Sequence, residues 1–351
     1  MTGVTLEYEI AAGTGDEVRL LHNRISETLE AVAETGSIAG AAKKMGYSYR
    51  QVWNLLNGWE TTFGVQFLNR GKGHTGELTP AARRWLSAEK EVFAEYAETL
   101  TALRADLERS FALAVNGDMP LIRLAGCPDG ALELLRQNAL KRSCVLEINF
   151  TSSLQGLQAL AVGGCEIAGF NFPLGVNTKT SLPRDFRKFF DGGALAMIGF
   201  ATRIQGLAVA PGNPLGLYSM LNVSTKKVRY VNRAPGTGTR ILCDVLLRSA
   251  GIRPDEVSGY GVVAASHQAV ATQVKFGKAD AGLCIESVAD SVGTDFIPLV
   301  KEAYFLACRK DFLETAPGQR FMDALKNGCW REKAASLKGY DFVGWQDADA
   351  D

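Results

Sequence analysis

Thr35-Gly-Ser-Ile-Ala-Gly-Ala-Ala-Lys-Lys-Met-Gly-Tyr-Ser-Tyr-Arg-Gln-Val-Trp53 is the stretch that decides how this chain begins to fold. Ser37 is a good N-cap for a short helix from Ile38 to Met45, because its hydroxyl can accept from a free first-turn N–H. That helix carries Ala39, Gly40, Ala41 and Ala42, small enough to let a second helix cross closely. Gly46 supplies a turn, Ser48 caps again, and a longer helix is predicted from Tyr49 to about Phe63. Upstream, Val18, Leu21, Ile25, Leu29 and Val32 recur at three- and four-residue spacing, the period of one amphipathic helix. A short helix, a glycine turn and a longer helix form the helix-turn-helix plan, whose last helix enters the DNA major groove.

On the last helix Val52, Leu55, Leu56 and Trp59 are expected to face the core, leaving Tyr49, Arg50, Gln51 and Asn54 outward. Arg and Gln make two-point contacts with guanine and adenine edges, although a solvated polar helix face carries the same residues. From Lys43 to Arg84 there are seven basic residues against two acidic ones. Asn69-Arg-Gly-Lys-Gly-His-Thr-Gly76 followed by Glu77-Leu-Thr-Pro80 reads as a hairpin wing. Its glycines permit close approach to phosphates, and Arg70, Lys72 and His74 are the side chains expected to meet them. Ser37 and Ser48, at the helix starts, complete the candidate DNA-contacting set. A plain surface hairpin is the alternative for the wing.

A chain of 351 residues with 46% hydrophobic and 22% charged residues has enough apolar content for two or three compact units. The formal net charge is zero, so any nucleic-acid surface must be a local patch. The opening Met1 to Ile10 lacks a basic leader with an apolar core, and no apolar run reaches the roughly 18 residues of a membrane span. The expectation is a cytoplasmic protein with no membrane contact. Seven scattered cysteines without a Cys-x-x-Cys pair, and only three histidines, predict no metal and no cofactor. No nucleophile–base cluster emerges, so no catalytic residue is assigned and an enzyme is not expected.

Leu86, Phe93, Leu100 and Leu107 lie seven residues apart, with Tyr96 and Leu103 between them. Such a stripe buries against a partner helix, either in a second copy of the chain or in its own domain. The spacing predicts one continuous helix over residues 80–113 and a homodimer or higher homo-oligomer through residues 81–115. A dimer would suit double-stranded DNA, where two recognition helices sit roughly 34 Å apart. After the Gly- and Pro-containing linker at 116–120, short strands alternate with helices, the pattern of an α/β domain with a largely parallel sheet.

Three strand ends in that region run into loops that open a helix: Cys127-Pro128-Asp129, Thr151-Ser152-Ser153 and Arg233-Ala-Pro-Gly-Thr-Gly-Thr-Arg240. Free N–H groups and the helix dipole make such junctions suitable for anions. Cys127, Asp129, Ser152, Ser153, Asn171, Arg233, Thr237, Gly238, Thr239, Arg240, Ser266 and His267 are the candidate ligand residues, and capping is the alternative role for the Ser and Thr among them. Arg240 can equally form a structural ion pair. Gly236-Thr-Gly-Thr-Arg240 lacks the Gly-Lys-Ser/Thr ending of a P-loop. Cys127 at a helix start raises a redox-sensing alternative, since that position lowers a thiol pKa.

The 35–53 segment, with Arg70-Gly-Lys-Gly-His-Thr-Gly-Glu-Leu-Thr79, resembles the winged helix-turn-helix head of molybdate-responsive ModE-type regulators, themselves related to LysR-type domains. Leu154 to Gly169, Gln205 to Gly216, Arg229 to Arg240 and His267 to Leu283 are similar to a periplasmic solute-binding-protein-like domain of the type fused to such heads. The resemblance implies a DNA-binding domain at 1–80, a linker or dimerisation helix at 81–115, and a two-lobed type II ligand-sensing domain at 120–345. Lobe I would take about 120–200 and 295–345, and lobe II about 205–290. It also implies a transcription regulator with a small anionic effector, molybdate or tungstate foremost, in the cleft. Relatives commonly carry Ser-His-Asp where Cys127-Pro128-Asp129 stand, acidic residues where Val263-Ala264 stand, and often a histidine near Asn171. These departures leave a small organic acid, a sulfonate or a molybdenum-cofactor-related molecule open as effector.

Overall fold

A computed structural model describes residues 9–12, 19–22, 24–69, 76–115, 119–142, 144–174, 182 and 184–342. The chain divides into two compact units, one from Thr5 to Phe93 and one from Ala94 onward. In the first, β1 (Glu9–Ala12) pairs antiparallel with β2 (Arg19–His22), and α1 (Ile25–Thr35), α2 (Ile38–Met45) and α3 (Tyr49–Phe63) follow. The helical reading of Leu21 is therefore corrected, while Val18 lies outside the described residues. Residues 19–22 are the return strand of a hairpin, and α1 starts only at Ile25. A few apolar residues at mixed spacing fit both periods, and pairing with β1 decided between them.

Gly36 and Gly46 end α1 and α2 in the left-handed conformation, at φ 69° and 72°, where a side chain would strain the backbone. Ile25, Leu29, Val32, Val52, Leu56 and Trp59 are buried and tie the three helices together, and Phe67, Leu68, Leu78 and Leu86 join the same core. Leu68 and Leu78 bridge antiparallel.

The connecting region is α4 (Pro80–Glu95) and α5 (Ala97–Val115). The expected single helix is interrupted at Tyr96 although no Gly or Pro is present. The break lies where Ser266 Oγ donates 2.7 Å to the carbonyl of Ala94, a bond outside the helical ladder.

The second unit goes on through β3 (Leu121–Gly126), α6 (Gly130–Arg142), β4 (Val145–Phe150), α7 (Ser153–Ala161), β5 (Ile167–Pro173), α8 (Arg184–Arg187) and β6 (Leu195–Val209). It continues through α9 (Met220–Thr225), β7 (Tyr230–Arg233), α10 (Gly238–Ser249), β8 (Val263–Ala264), α11 (His267–Lys275), β9 (Ala281–Ile285), α12 (Glu286–Val292) and β10 (Asp295–Arg309). Helices α13 (Lys310–Glu314), α14 (Ala316–Lys326) and α15 (Gly328–Ala334) close the unit. Strand order is β4-β3-β5-β10-β6-β9-β7-β8. The outer strands pair in parallel, as expected, but β10 is antiparallel to β5 and β6, and β6 to β9.

Strands β6 and β10, each 15 residues long, run through both halves of this sheet. β6 meets β9 from Gln205 onward, and β10 meets β5 from Glu302 onward, with bulges at Pro298/Val300 and Tyr304/Phe305. The chain therefore crosses from one lobe to the other near 204 and back near 300. One lobe packs on Ile122, Leu124, Leu132, Phe200, Tyr304 and Trp330, the other on Leu207, Val209, Tyr230, Cys243 and Leu283. Among the described residues no helix is long and apolar enough to cross a membrane.

Candidate functional site

Two surfaces gather the candidate residues. The first is the outer face of α3. Ser48 Oγ accepts from Gln51 N at 3.2 Å, while Gln51 Oε1 accepts from Ser48 N at 2.8 Å, a reciprocal capping box. Tyr49, Arg50, Gln51 and Asn54 are all exposed, and Tyr49 stacks on Trp53 with ring centroids 6.3 Å apart. Ser37 caps α2 by accepting from Gly40 N at 3.0 Å. Ser37, Ser48 and the carbonyl end of Gln51 thus hold helix starts in this structure, while Arg50 and Asn54 stand exposed on the outer face of α3. A groove of about 760 Å³ runs along the helix, lined by Tyr47, Gln51, Asn54, Leu55 and Thr62 among others.

Arg70, Lys72 and His74 lie outside the described residues. Gly76 is described, and it serves its own domain: a Cβ there would fall 1.9 Å from the Gly36 carbonyl oxygen. The local positive charge is partly internal, because Lys44 pairs with Glu34 and Arg83 with Glu77 at 3.4 Å.

The second surface is the junction between the lobes. Arg203 on β6 and Glu302 on β10 are buried and paired with each other, and Arg203 Nη1 also donates 2.7 Å to Asp129 Oδ2. Glu302 Oε2 accepts from Asn171 Nδ2 and from Gln205 Nε2, each at 2.9 Å. Ser153 Oγ donates 3.0 Å to Asn171 Oδ1, and Cys127 Sγ lies 3.4 Å from the same hydroxyl. Tyr340 OH donates 2.7 Å to Asp129 Oδ2, and Tyr304 OH donates 2.9 Å to the Cys127 carbonyl. One hydrogen-bonded network thus spans the loop after β3, the start of α7, β5, β6, β10 and the segment after α15. Burial alone would favour a neutral Arg203, but Glu302, Tyr340 and Asp129 outweigh it and hold the guanidinium charged.

Lobe II contributes Arg233, Thr239, Ser266 and His267. Arg233 is 5% exposed, with Nη1 donating to the Ala264 carbonyl and Nη2 to Glu98 of α5, both at 3.1 Å. Its Nε is buried with no hydrogen-bond partner among the described residues, as are His267 Nδ1 and Gln205 Oε1. His267 Nε2 lies 3.5 Å from Thr239 Oγ1. Burial, then the charges of Arg233 and Arg203, push its pKa far below the ordinary range, so the ring is neutral. A Cβ on Gly238 would sit 3.5 Å from Asn171 Nδ2, which brings the start of α10 against β5 of the other lobe.

Several candidate ligand residues prove committed to the protein itself. Asp129 accepts from Ala131 N and Leu132 N through Oδ1, and from Arg203 and Tyr340 through Oδ2, so both oxygens are spent on capping α6 and neutralising Arg203. Ser152 forms a capping box with Gln155, Thr237 caps α10, and Ser266 caps α11 while donating to Ala94 O. Arg240 lies 3.9 Å above the Tyr260 ring and 3.6 Å from Asp244, the structural ion pair of the two alternatives. Cys127 departs from the expectation of a lowered pKa: burial pushes its thiol up. Arg203, Gln205 and Glu302 were not singled out from the sequence. A charged or amide side chain inside the apolar runs Met197–Val209 and Ile297–Ala307 was the available signal.

Residues 24–83 match the model of the bacterial regulatory helix-turn-helix protein of the LysR family, and residues 135–326, more than half of the chain, match the PBP superfamily domain. The chain belongs to the PBP superfamily. It joins a LysR-type helix-turn-helix to a PBP-like domain. An uncharacterised Bacillus subtilis protein, YvgK, is 28% identical over 55% of this chain, which spans 61% of that relative's length. The molybdenum transport protein ModE of Herbaspirillum seropedicae is 37% identical over 22% of this chain and 31% of its own. Among solved structures, an OxyR mutant from Corynebacterium glutamicum is 16% identical, covering 89% of this chain and 93% of its own, at a TM-score of 0.43.

Proposed function

We propose that this LysR-family regulator senses a small anionic effector in the cleft of its PBP-like domain and reads DNA with Arg50, Gln51 and Asn54. The observation that carries the effector reading is Arg233 Nε, a buried cationic donor without a partner among the described residues. An unmet charged donor is costly, and an oxyanion or carboxylate would satisfy it with a charge-assisted bond. The neutral ring of His267 beside it can offer a further donor through Nδ1. Molybdate and tungstate enter through the resemblance of the N-terminal domain to ModE, and a small organic acid is the second reading, favoured by Gln205 Oε1.

Arg233 also links cleft to linker, because it holds Glu98 of α5. Effector bound at Nε competes with Glu98 for the same guanidinium and so biases α5. Only such a difference in affinity between two arrangements can shift the regulator. The face of α5 bearing Leu100, Leu103, Leu107 and Phe111, with Tyr96 just before it, is the proposed homodimer seam.

Thermal-shift titration with molybdate, tungstate, sulfate, formate and small organic acids tests the effector reading. A specific ligand at 100 times its Kd stabilises by about 2.7 kcal/mol, and Arg233→Ala should abolish the shift. No stabilisation by any anion would sink it. On the DNA side, Arg50→Ala should relax sequence preference at one base position by about 1–3 kcal/mol in binding assays at fixed salt.

A further inference from the structure

If Arg233 fixes the anionic end of the effector, Gln205 fixes what must lie beside it. Gln205 is 1% exposed and stands on β6 where the chain passes between lobes. Its Nε2 donates 2.9 Å to Glu302 Oε2. A carboxylate only accepts, so the amide cannot be turned over, and Oε1 is committed to the other side. That oxygen is buried with no partner among the described residues. Asn171 Nδ2 and Arg203 Nε, which also reach Glu302, make no hydrogen bond to it.

The charges around the cleft point the same way. Arg203 and Arg233 face Asp129, Glu302 and Glu98, with His267 neutral. Three carboxylates already face two guanidinium groups, so each further negative charge on the effector adds repulsion, and a singly charged effector is favoured over a doubly charged one.

We propose, resting on the anion reading above, that the effector carries an O–H or N–H donor beside a single negative charge. The class is a protonated oxyanion or a small hydroxy or amino acid, in preference to a fully ionised tetrahedral oxyanion such as molybdate or sulfate. An acceptor that is buried and left unmet discriminates strongly against a ligand of the same shape without the donor.

Calorimetric titration of the full chain with matched probes tests this: phosphate against sulfate at pH 6.5, and glycolate against acetate. In each pair the donor-bearing member should bind at least about ten times more tightly. Gln205→Leu should bring the members of a pair to within about threefold of each other, while Arg233→Ala should weaken both. Equal binding within both pairs, or tighter sulfate and acetate, overturns this inference and leaves the anion reading standing. Binding of none of the four overturns both. The comparison on the unaltered chain decides the matter even where a variant does not fold.

Discussion

His267 is held neutral by burial and by two guanidinium groups, and this has a consequence for stability. Its pKa in the folded chain lies well below the ordinary 6.5, so below that pH the unfolded chain takes up a proton that the folded chain refuses. The stability contributed by the neutral ring is therefore complete above about pH 6.5 and is lost as pH falls, at up to about 1.4 kcal/mol per pH unit. His267→Gln should flatten that slope; parallel urea melts at pH 7.5, 6.5 and 5.5 with unchanged slopes would contradict it. The same scale shows what the sequence hides. His267 and Arg233 announce themselves by type at the ends of strands, whereas Arg203 and Glu302 sit in mid-strand and mark a site only once β6 and β10 are paired. Cys127 differs again: its place at a helix start was legible, but the burial that opposes thiolate formation was not. Alkylation should accordingly modify exposed Cys329 well before Cys127, as peptide mass spectrometry after brief treatment would reveal.

Helix ends of the helix-turn-helix unit follow local rules, and they were the most legible part of the chain. Ser37, Gly46 and Ser48 declare caps and turns within three residues of where they act. Ser48→Ala removes half of a capping box and should cost about 1 kcal/mol in denaturant melts, without changing the fold. Gly76 is different, because it meets Gly36, forty residues earlier by sequence number. Its substitution by alanine forces a Cβ into a backbone carbonyl, and displacement of that kind costs about 1–3 kcal/mol. Gly76→Ala should therefore be more damaging than Ser48→Ala, and the reverse order would mean that the backbone there yields freely. Distance along the chain also explains the interruption at Tyr96. Nothing in residues 80–113 breaks a helix; the Ser266 hydroxyl that takes the Ala94 carbonyl comes from 172 residues away.

At the scale of the whole molecule, α5 has two unlike faces. One is fixed to the sensor domain by buried Glu108, which accepts from Arg136 Nη2 at 2.5 Å, by Arg109 paired with Glu147, and by buried Ala112. The other leaves Leu103 and Phe111 each 49% exposed, with half-buried Leu100 and Leu107 completing the row and exposed Tyr96 just before it. An apolar row at three- and four-residue spacing is stable in water when a matching helix covers it. Leu103→Glu combined with Phe111→Glu should convert a dimer into monomers in sedimentation equilibrium and weaken operator binding, since only one recognition helix then engages per molecule. The same helix carries Glu98, so the proposed effector contact and the proposed dimer seam share an element. Removing the carboxylate with Glu98→Gln releases Arg233 to the effector, which should then bind about tenfold more tightly, while the change that effector makes in DNA affinity shrinks. Both shifts follow from one equilibrium, because a ligand that no longer competes with α5 has lost its means of moving α5. Tighter effector binding with an undiminished DNA response would break that link and place the coupling elsewhere in the sensor.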